Sequence, residues 1–322
     1  MRVLVTGGSG FIATNFFQFL SQTPAEVTLF DRKYGQDLRD PAAVKAAILG
    51  KNYDVVYHLG ALTNIDQSIK EPWPFWDSNV NGTFNVLEAA REENAQRAGG
   101  KNPMTVVYMS SSEVYGTSQW EPRPMSEEHP LAPHSPYAAS KVAAERLCYS
   151  YWQTYGLPVK MLRPFNQYGP YQTEEKLIPK LIRRALDGKS MPVYADGLAR
   201  RDWVFVRDTC EALWLAPKLP DGTAVNIATG VNYTVLDVCT LVKRILQNER
   251  SAVVHVDHVD DRWGHVKCLR GDGSLCQELL GWRPPTSFEE GLKKTVAFYL
   301  AQWDIEHPVR EAAEREPLLA SR

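Results

Sequence analysis

No run of about 18 consecutive apolar residues occurs in the chain, so no segment reads as a membrane span. Neither sign of charge is in excess. Lys and Arg number 36 and Asp and Glu 38, a formal net charge of -2, which makes nucleic acid a poor default partner. Cysteine is scarce: Cys148, Cys210, Cys239, Cys268 and Cys276 are odd in number and widely spaced, with no Cys-x-x-Cys. That pattern excludes a disulfide framework or a zinc ribbon and fits a reducing, cytoplasmic setting. There is no internal repeat and no low-complexity tract. A cleaved leader is not expected, because the apolar start MRVLV ends at once in glycines with no cleavage site after it. What remains is 322 residues at 44% apolar content, enough to bury one large core or two lobes.

Apolar patterning alternates between the two periods. Val3–Val5, Val27–Phe30, Val55–Leu59, Thr105–Met109 and Val159–Leu162 read as strands. Phe11–Leu20, Ala42–Leu49, Asn79–Arg91 and Tyr137–Tyr155 read as helices between them. Strands alternating with helices imply an α/β fold, a Rossmann-type doubly wound parallel sheet. After Pro164 the pattern loosens into short, proline-punctuated segments, read as a smaller C-terminal substrate lobe. The expected division is a cofactor domain over 1–166, a second lobe over 167–304 and a polar tail over 305–322. Segments near 202–208 and 224–228 are expected to return to the main sheet.

The first turn, Gly7-Gly8-Ser9-Gly10-Phe11-Ile12-Ala13, lies between a strand and a helix, the context a dinucleotide fingerprint requires. Gly7 permits the tight turn, Gly10 lets the backbone approach a pyrophosphate, and Ala13 allows close helix–strand packing. The second strand ends at Asp31, about 20 residues on, where a carboxylate accepts from a ribose 2′-OH and repels a 2′-phosphate. NAD is therefore expected, although Arg32 and Lys33 beside Asp31 would suit NADP.

Tyr137 and Lys141 stand four apart at the start of a helix and share one face. An ammonium beside a phenol is expected to lower the phenol's pKa, and a phenolate can take the proton of a sugar hydroxyl. Ser110-Ser111-Ser112-Glu113 follows the Thr105–Met109 strand, and strand C-terminal ends are where open α/β sheets place their ligands. A hydroxyl there can orient an alcohol and a carboxylate can act as a base. Taken singly, each could equally be a polar turn or a solvated helix pair.

Jointly these segments resemble an extended short-chain dehydrogenase/reductase of the nucleotide-sugar group. TGGSGFIA, Asp37-Leu38-Arg39-Asp40, His58-Leu59-Gly60-Ala61, Asn79-Val80-Asn81-Gly82-Thr83, SSSEVYG, YAASK and RPFNQYGP (163–170) occur in family order, to about Leu300. The resemblance implies Ser111, Tyr137 and Lys141 as the catalytic triad and Asp37 and Leu38 at the adenine. Phe11, Ile12, Leu59, Ala61, Asn79, Tyr137 and Lys141 join Gly7, Gly10, Asp31 and Arg32 in the implied cofactor set. It also implies a homodimer through the helices near Asn79–Arg91 and Tyr137–Tyr155.

Within the family the chain is most similar to dTDP-glucose 4,6-dehydratases. Glu174-Glu175-Lys176-Leu177-Ile178-Pro179 resembles their EKLIP segment, Arg201-Asp202-Trp203 their RDW, and Asp261-Arg262-Trp263-Gly264-His265 their DRPGH. By that likeness Asn166, Lys176, Leu177, Arg201, Asn226, Arg262 and His265 hold a UDP- or dTDP-hexose, with Arg forks suited to the diphosphate. The departures matter. The family's Asp-Glu pair, acid toward the C6 hydroxyl and base at C5, is here Ser112-Glu113. Gly60 replaces a usual Ala, Ala13 a usual Gly, and Arg32–Gln36 is short enough that the third strand is expected to be vestigial.

The implied reaction is NAD-dependent dehydration. Tyr137 deprotonates the C4 hydroxyl, Ser111 orients it, and the C4 ketone acidifies the C5 proton that Glu113 removes. Loss of the C6 hydroxyl then gives either a 4-keto-6-deoxy sugar or, with C4 restored, a 5,6-ene. The second outcome resembles the UDP-N-acetylglucosamine 5,6-dehydratase of tunicamycin biosynthesis, an antibiotic pathway. A 4-epimerase would need no base at C5, and a UDP-glucuronate decarboxylase would need a carboxylate site. A catalytically silent NAD-binding regulator predicts a broken triad. No metal site is expected: His255, Asp257, His258 and Asp260 read as a strand with a polar end.

Overall fold

The computed structural model describes residues 1–97, 102–117, 123–249, 255–261 and 264–307. The chain begins β1 (Arg2–Thr6), α1 (Phe11–Leu20), β2 (Glu26–Phe30), α2 (Pro41–Ile48) and β3 (Val55–His58). Next come α3 (Ile65–Lys70), α4 (Pro72–Trp76), a π-turn over Asp77–Asn81, α5 (Gly82–Arg97) and β4 (Thr105–Met109). After β4 stand a 3-10 turn (Ser112–Tyr115), α6 (Pro136–Tyr155) and β5 (Val159–Pro164). The second half holds β6 (Asn166–Tyr168), α7 (Leu177–Leu186), β7 (Met191–Tyr194), β8 (Arg200–Phe205) and α8 (Val206–Leu215). It ends with β9 (Ala224–Ile227), β10 (Asn232–Thr234), α9 (Val235–Glu249), β11 (Val256–Val259), α10 (Ser274–Leu280) and α11 (Phe288–Glu306).

The main sheet is wholly parallel in the order β2-β1-β3-β4-β5-β9. Side chains alternate between its faces. Val3 and Val5 pack with Phe16 on one side, and Leu4 packs with Val56 and Leu87 on the other. Phe16 meets Tyr57 edge to face at 4.7 Å, a pairing that adds about 0.5–1.5 kcal/mol to simple burial. Residues 31–54 contain no strand: a 3-10 turn (Arg32–Tyr34) and α2 take its place. The sheet therefore stops at β2, as the short Arg32–Gln36 segment led us to expect.

Of the two segments expected to rejoin the sheet, β9 does so, pairing with β5. The other does not. β8 pairs with β6 in parallel and β10 antiparallel, forming a separate three-stranded sheet. The reason is the chain's course: β5 runs almost directly into β6, whose Asn166 and Tyr168 register against Trp203 and Phe205. There the aromatic rings of Tyr168, Trp203, Phe205 and Phe288 close a second core with α7, α9 and α11. The chain comes back only afterwards, when α8 lays Cys210 and Leu213 into the core beneath α1. β7 and β11 pair as a two-stranded parallel sheet. The expected tail starts inside a helix, since α11 extends to Glu306, and residues 308–322 lie outside the described residues. No described helix is long and apolar enough to cross a membrane.

Candidate active site

The C-terminal ends of β1, β3, β4 and β5 face one cleft. Gly7 follows β1 with φ +69°, and a Cβ there would sit 2.6 Å from the Gly60 Cα, so only glycine lets the two turns touch. Gly10 caps α1 without any side-chain hydrogen bond, leaving the first amides of the helix to a ligand. Asp31 accepts from the Lys33 N–H at 2.8 Å and the Ser9 N–H at 3.1 Å. Burial pushes its carboxyl up, but those bonds and the Arg32 charge outweigh it and hold the pKa below the ordinary value.

A groove of about 210 Å³ runs over these residues, lined by Gly7, Gly10, Asp31, Arg32, Asp37, Leu38, Leu59 and Ala61. The Asp37 carboxylate is forked by Arg39, with Nη2–Oδ2 at 2.6 Å. A glycine cradle at a bare helix end and a carboxylate at the second strand fit a dinucleotide with a free 2′-OH. The groove shares Gly7, Gly10, Leu59 and Ala61 with a cleft of about 300 Å³ that also takes in Phe11, Ile12, Ser111, Ser112, Glu113, Tyr137 and Lys141. That cleft shares Glu113, Asn166, Gln167, Gln172 and Lys176 with a third cavity of about 320 Å³ toward the small lobe. The three are continuous.

Local sequence explains the placement of the catalytic side chains. Ser135 accepts from the Ala138 N–H and Pro136 starts α6, so Tyr137 falls in the first turn with Lys141 one turn on. Ser111 Oγ accepts from the Glu113 N–H at 3.2 Å and caps the 3-10 turn, which presents Ser112 and Glu113 to the cleft. Burial pushes Tyr137 up to about 12, opposed by its hydrogen bond with Ser111 and reinforced by the Glu113 charge. Burial likewise pushes Lys141 down to about 7. Lys141 Nζ donates to the Met109 carbonyl at 2.6 Å and lies 4.5 Å from the Tyr108 ring centre. This corrects the expectation of a lysine-lowered phenol: desolvation dominates both groups, and the group that lowers Tyr137 is Ser111.

The third cavity is lined by Asn166, Lys176, Leu177, Arg201 and His265, as the family likeness implied. Lys176 Nζ donates to the Thr63 carbonyl at 3.1 Å, and His265 Nδ1 stands 2.6 Å from Asp261 Oδ1. Two expected residues fall elsewhere. Asn226 is fully buried away from all three spaces: its Nδ2 donates to the Met125 and Asp272 carbonyls and its Oδ1 accepts from Tyr115. Asn79 lines none of them either, because its amide clasps both backbone groups of Leu62 and donates to Ser140 Oγ. Arg262 lies outside the described residues.

Sequence reasoning missed Trp203 and Gln172 as lining residues. Trp203 stands inside the Arg201–Trp203 landmark and Gln172 between two landmarks, but no spacing marks which residue turns inward. The Trp203 indole N–H is buried with no hydrogen-bond partner, a donor available to a ligand. Among the described residues Glu113 is the one carboxylate lining the 300 Å³ cleft, while Asp66 and Glu175 line only the outer cavity. No cluster of three or more His, Cys, Asp or Glu among the described residues could hold a metal.

The sequence pattern of the family described as GDP-mannose 4,6 dehydratase matches residues 33–295. The low-salt glycan biosynthesis protein Agl12 of Haloferax volcanii is 35% identical over 322 residues, covering 93% of this chain and 99% of its own. The dTDP-glucose 4,6-dehydratase 1 of Escherichia coli is 34% identical over 340 residues, covering 94% of this chain and 93% of its own. A double mutant of DesIV of Streptomyces venezuelae, a dTDP-glucose 4,6-dehydratase solved with NAD and DAU bound, superposes with a TM-score of 0.85 at 33% identity, covering 94% of this chain and 98% of that one.

Proposed function

The chain belongs to the NAD-dependent nucleotide-sugar dehydratases of the extended short-chain dehydrogenase/reductase family, and from that premise we propose that it removes water across C5–C6 of a nucleoside-diphosphate hexose. The favoured substrate is UDP-N-acetylglucosamine and the favoured product its 5,6-ene with the C4 hydroxyl restored. The observation that carries the dehydration is the acid inventory: among the described residues Glu113 is the one carboxylate lining the reaction cleft, and Ser112 stands where the family places an acid. The preference for the 5,6-ene rests on overall sequence likeness.

Bound NAD supplies the hydride acceptor and donor that make C4 transiently a ketone. Tyr137 Oη takes the C4 hydroxyl proton while Ser111, hydrogen-bonded to Tyr137, orients that hydroxyl. Lys141, buried beneath, donates to Met109 and supplies positive charge near the phenol. Glu113 removes the C5 proton, the C5–C6 double bond forms as the C6–O bond breaks, and the same carboxyl returns its proton to the departing oxygen. Water leaves and Glu113 is again a carboxylate. Ser112 offers a hydroxyl to that oxygen but has no acidic proton to commit. The diphosphate lies with Lys176, Arg201 and His265, and the dinucleotide with Gly7, Gly10, Asp31, Leu38 and Ala61. A homodimer contact on α5 and α6 is supported by Phe84, Tyr149 and Tyr155, which those helices leave exposed.

The relatives named dTDP-glucose 4,6-dehydratase favour a second reading, in which C6 is reduced and a 4-keto-6-deoxy sugar is released. Both readings need Glu113. Glu113→Gln in the holoenzyme, given UDP-N-acetylglucosamine in D₂O, should stop both 5,6-ene formation and deuterium entry at C5 of the recovered substrate, a loss of about 10²–10⁴-fold expected for a general base. C4 oxidation, read as 340 nm absorbance, should persist. Unchanged exchange would remove Glu113 as the base.

A further inference from the structure

Glu145 carries a fully buried carboxylate that takes no part in the elimination. Its Oε2 accepts from Ser110 Oγ at 2.6 Å and Arg163 Nε at 3.0 Å, and its Oε1 from Arg163 Nη2 at 2.6 Å and Arg146 Nη2 at 2.7 Å. Arg163, equally buried, spends its remaining nitrogen on the Tyr115 hydroxyl at 2.7 Å and the Glu127 carbonyl at 3.1 Å. Ser110 and Tyr115 bracket the turn that presents Ser111, Ser112 and Glu113. A buried ion pair is by itself weak evidence for stability, since desolvation offsets the attraction. Here its bonds converge on the two ends of one functional turn.

We propose that the Glu145–Arg163 pair is the positioning device of this active site: Glu145 holds the head of the catalytic turn through Ser110, and Arg163 holds its tail through Tyr115. The inference rests on the reading of that turn as the one that works on C4 and C5. Glu145 also lies one helical turn beyond Lys141 and two beyond Tyr137 on α6, so one helix face carries the phenol, the ammonium and the anchor. A base held about 1 Å off its geometry loses on the order of 10²-fold in rate.

The anchor's charge reaches Lys141 as well. The groups facing Lys141 are Met109 O and the Tyr108 ring from β4, His58 from β3, and Cys148 and Glu145 from its own helix. His58 is pushed down to about 3, by burial and then by the Lys141 charge, and stays neutral. Burial pushes Lys141 down, and Glu145 is among the groups that push it back up.

The test compares Glu145→Gln, Ser110→Ala and wild-type holoenzyme on UDP-N-acetylglucosamine, with kcat, KM, melting temperature and the pH profile of kcat. Glu145→Gln should lower kcat about 100-fold with KM within about twofold, the pattern of lost transition-state geometry. Its alkaline limb should move to lower pH, because Lys141 loses the anion that favours its charged form. Ser110→Ala keeps the ion pair and cuts only the tether, so kcat should fall about tenfold with the limb unmoved. Wild-type kcat in Ser110→Ala, or a Glu145→Gln loss that merely tracks unfolded protein with the limb unmoved, overturns the proposal. Should Glu145→Gln fail to fold, Ser110→Ala and Tyr115→Phe decide alone, and full activity in both overturns it. Retained C5 exchange in Glu113→Gln would sink the base assignment instead, and the alkaline limb, which reads Lys141, still distinguishes the two failures.

Discussion

Replacing Lys141 by Met should abolish turnover and yet stabilise the protein. Lys141 is 3% exposed, and burial moves its pKa from 10.5 to about 7, a differential interaction of about 5 kcal/mol between its two protonation states. The unfolded chain binds the proton more readily than the folded one between pH 7 and 10.5. Stability therefore rises with pH through that window, and the full cost is present below pH 7. Methionine keeps the stem in place and removes the charge. It also strands the Met109 carbonyl, which accepts from Nζ at 2.6 Å, at a cost of about 1–3 kcal/mol. The net gain is about 2–4 kcal/mol near pH 6, or about 3–6 °C in melting temperature for a chain of this size. Thermal melts of both proteins without added cofactor, from pH 6 to pH 9.5, measure it. The gap should narrow steadily as pH rises. A Lys141→Met variant that melts lower than wild type at pH 6, or a gap that does not change with pH, refutes the reasoning.

Tyr137→Phe removes the proton acceptor while keeping the ring, so kcat should fall about 10²–10⁴-fold with NAD binding, followed by fluorescence titration, unchanged. Gly7→Ala forces a Cβ to 2.6 Å from Gly60 Cα at φ +69°, adding about 1–2 kcal/mol of left-handed strain before any backbone shift. NAD affinity should fall at least about tenfold in the same titration, a change of about 1.4 kcal/mol.

Much of the cofactor half could be read from local pattern, because each decisive feature there is short in sequence. The glycine turn, the carboxylate closing β2 and the Tyr137–Lys141 spacing all lie within a single element or at its end. The short Arg32–Gln36 segment likewise announced the missing strand. What escaped was long-range. The apolar run at 203–206 looks like any buried strand, and only the immediate turn from β5 into β6 sends it to the smaller sheet. Asn79 stands in a family motif and Asn226 came from the same likeness, but a likeness names a residue without its direction, and both side chains turn into the scaffold. Glu145 and Arg163 are 18 residues apart with no periodic relation, so their pairing appears only once α6 lies against β5. The phenol's pKa was misjudged for a related reason: sequence shows the neighbouring charge but not the depth of burial.

Water loss across C5–C6 depends on Glu113, among the described residues the one carboxylate lining the reaction cleft. Proton NMR of the product formed from UDP-N-acetylglucosamine by the wild-type holoenzyme in D₂O tests it most directly. The account predicts an exocyclic 5,6-ene, with two vinyl protons at C6 and the C4 proton retained. A C6 methyl group, a C4 epimer or loss of carbon would contradict it.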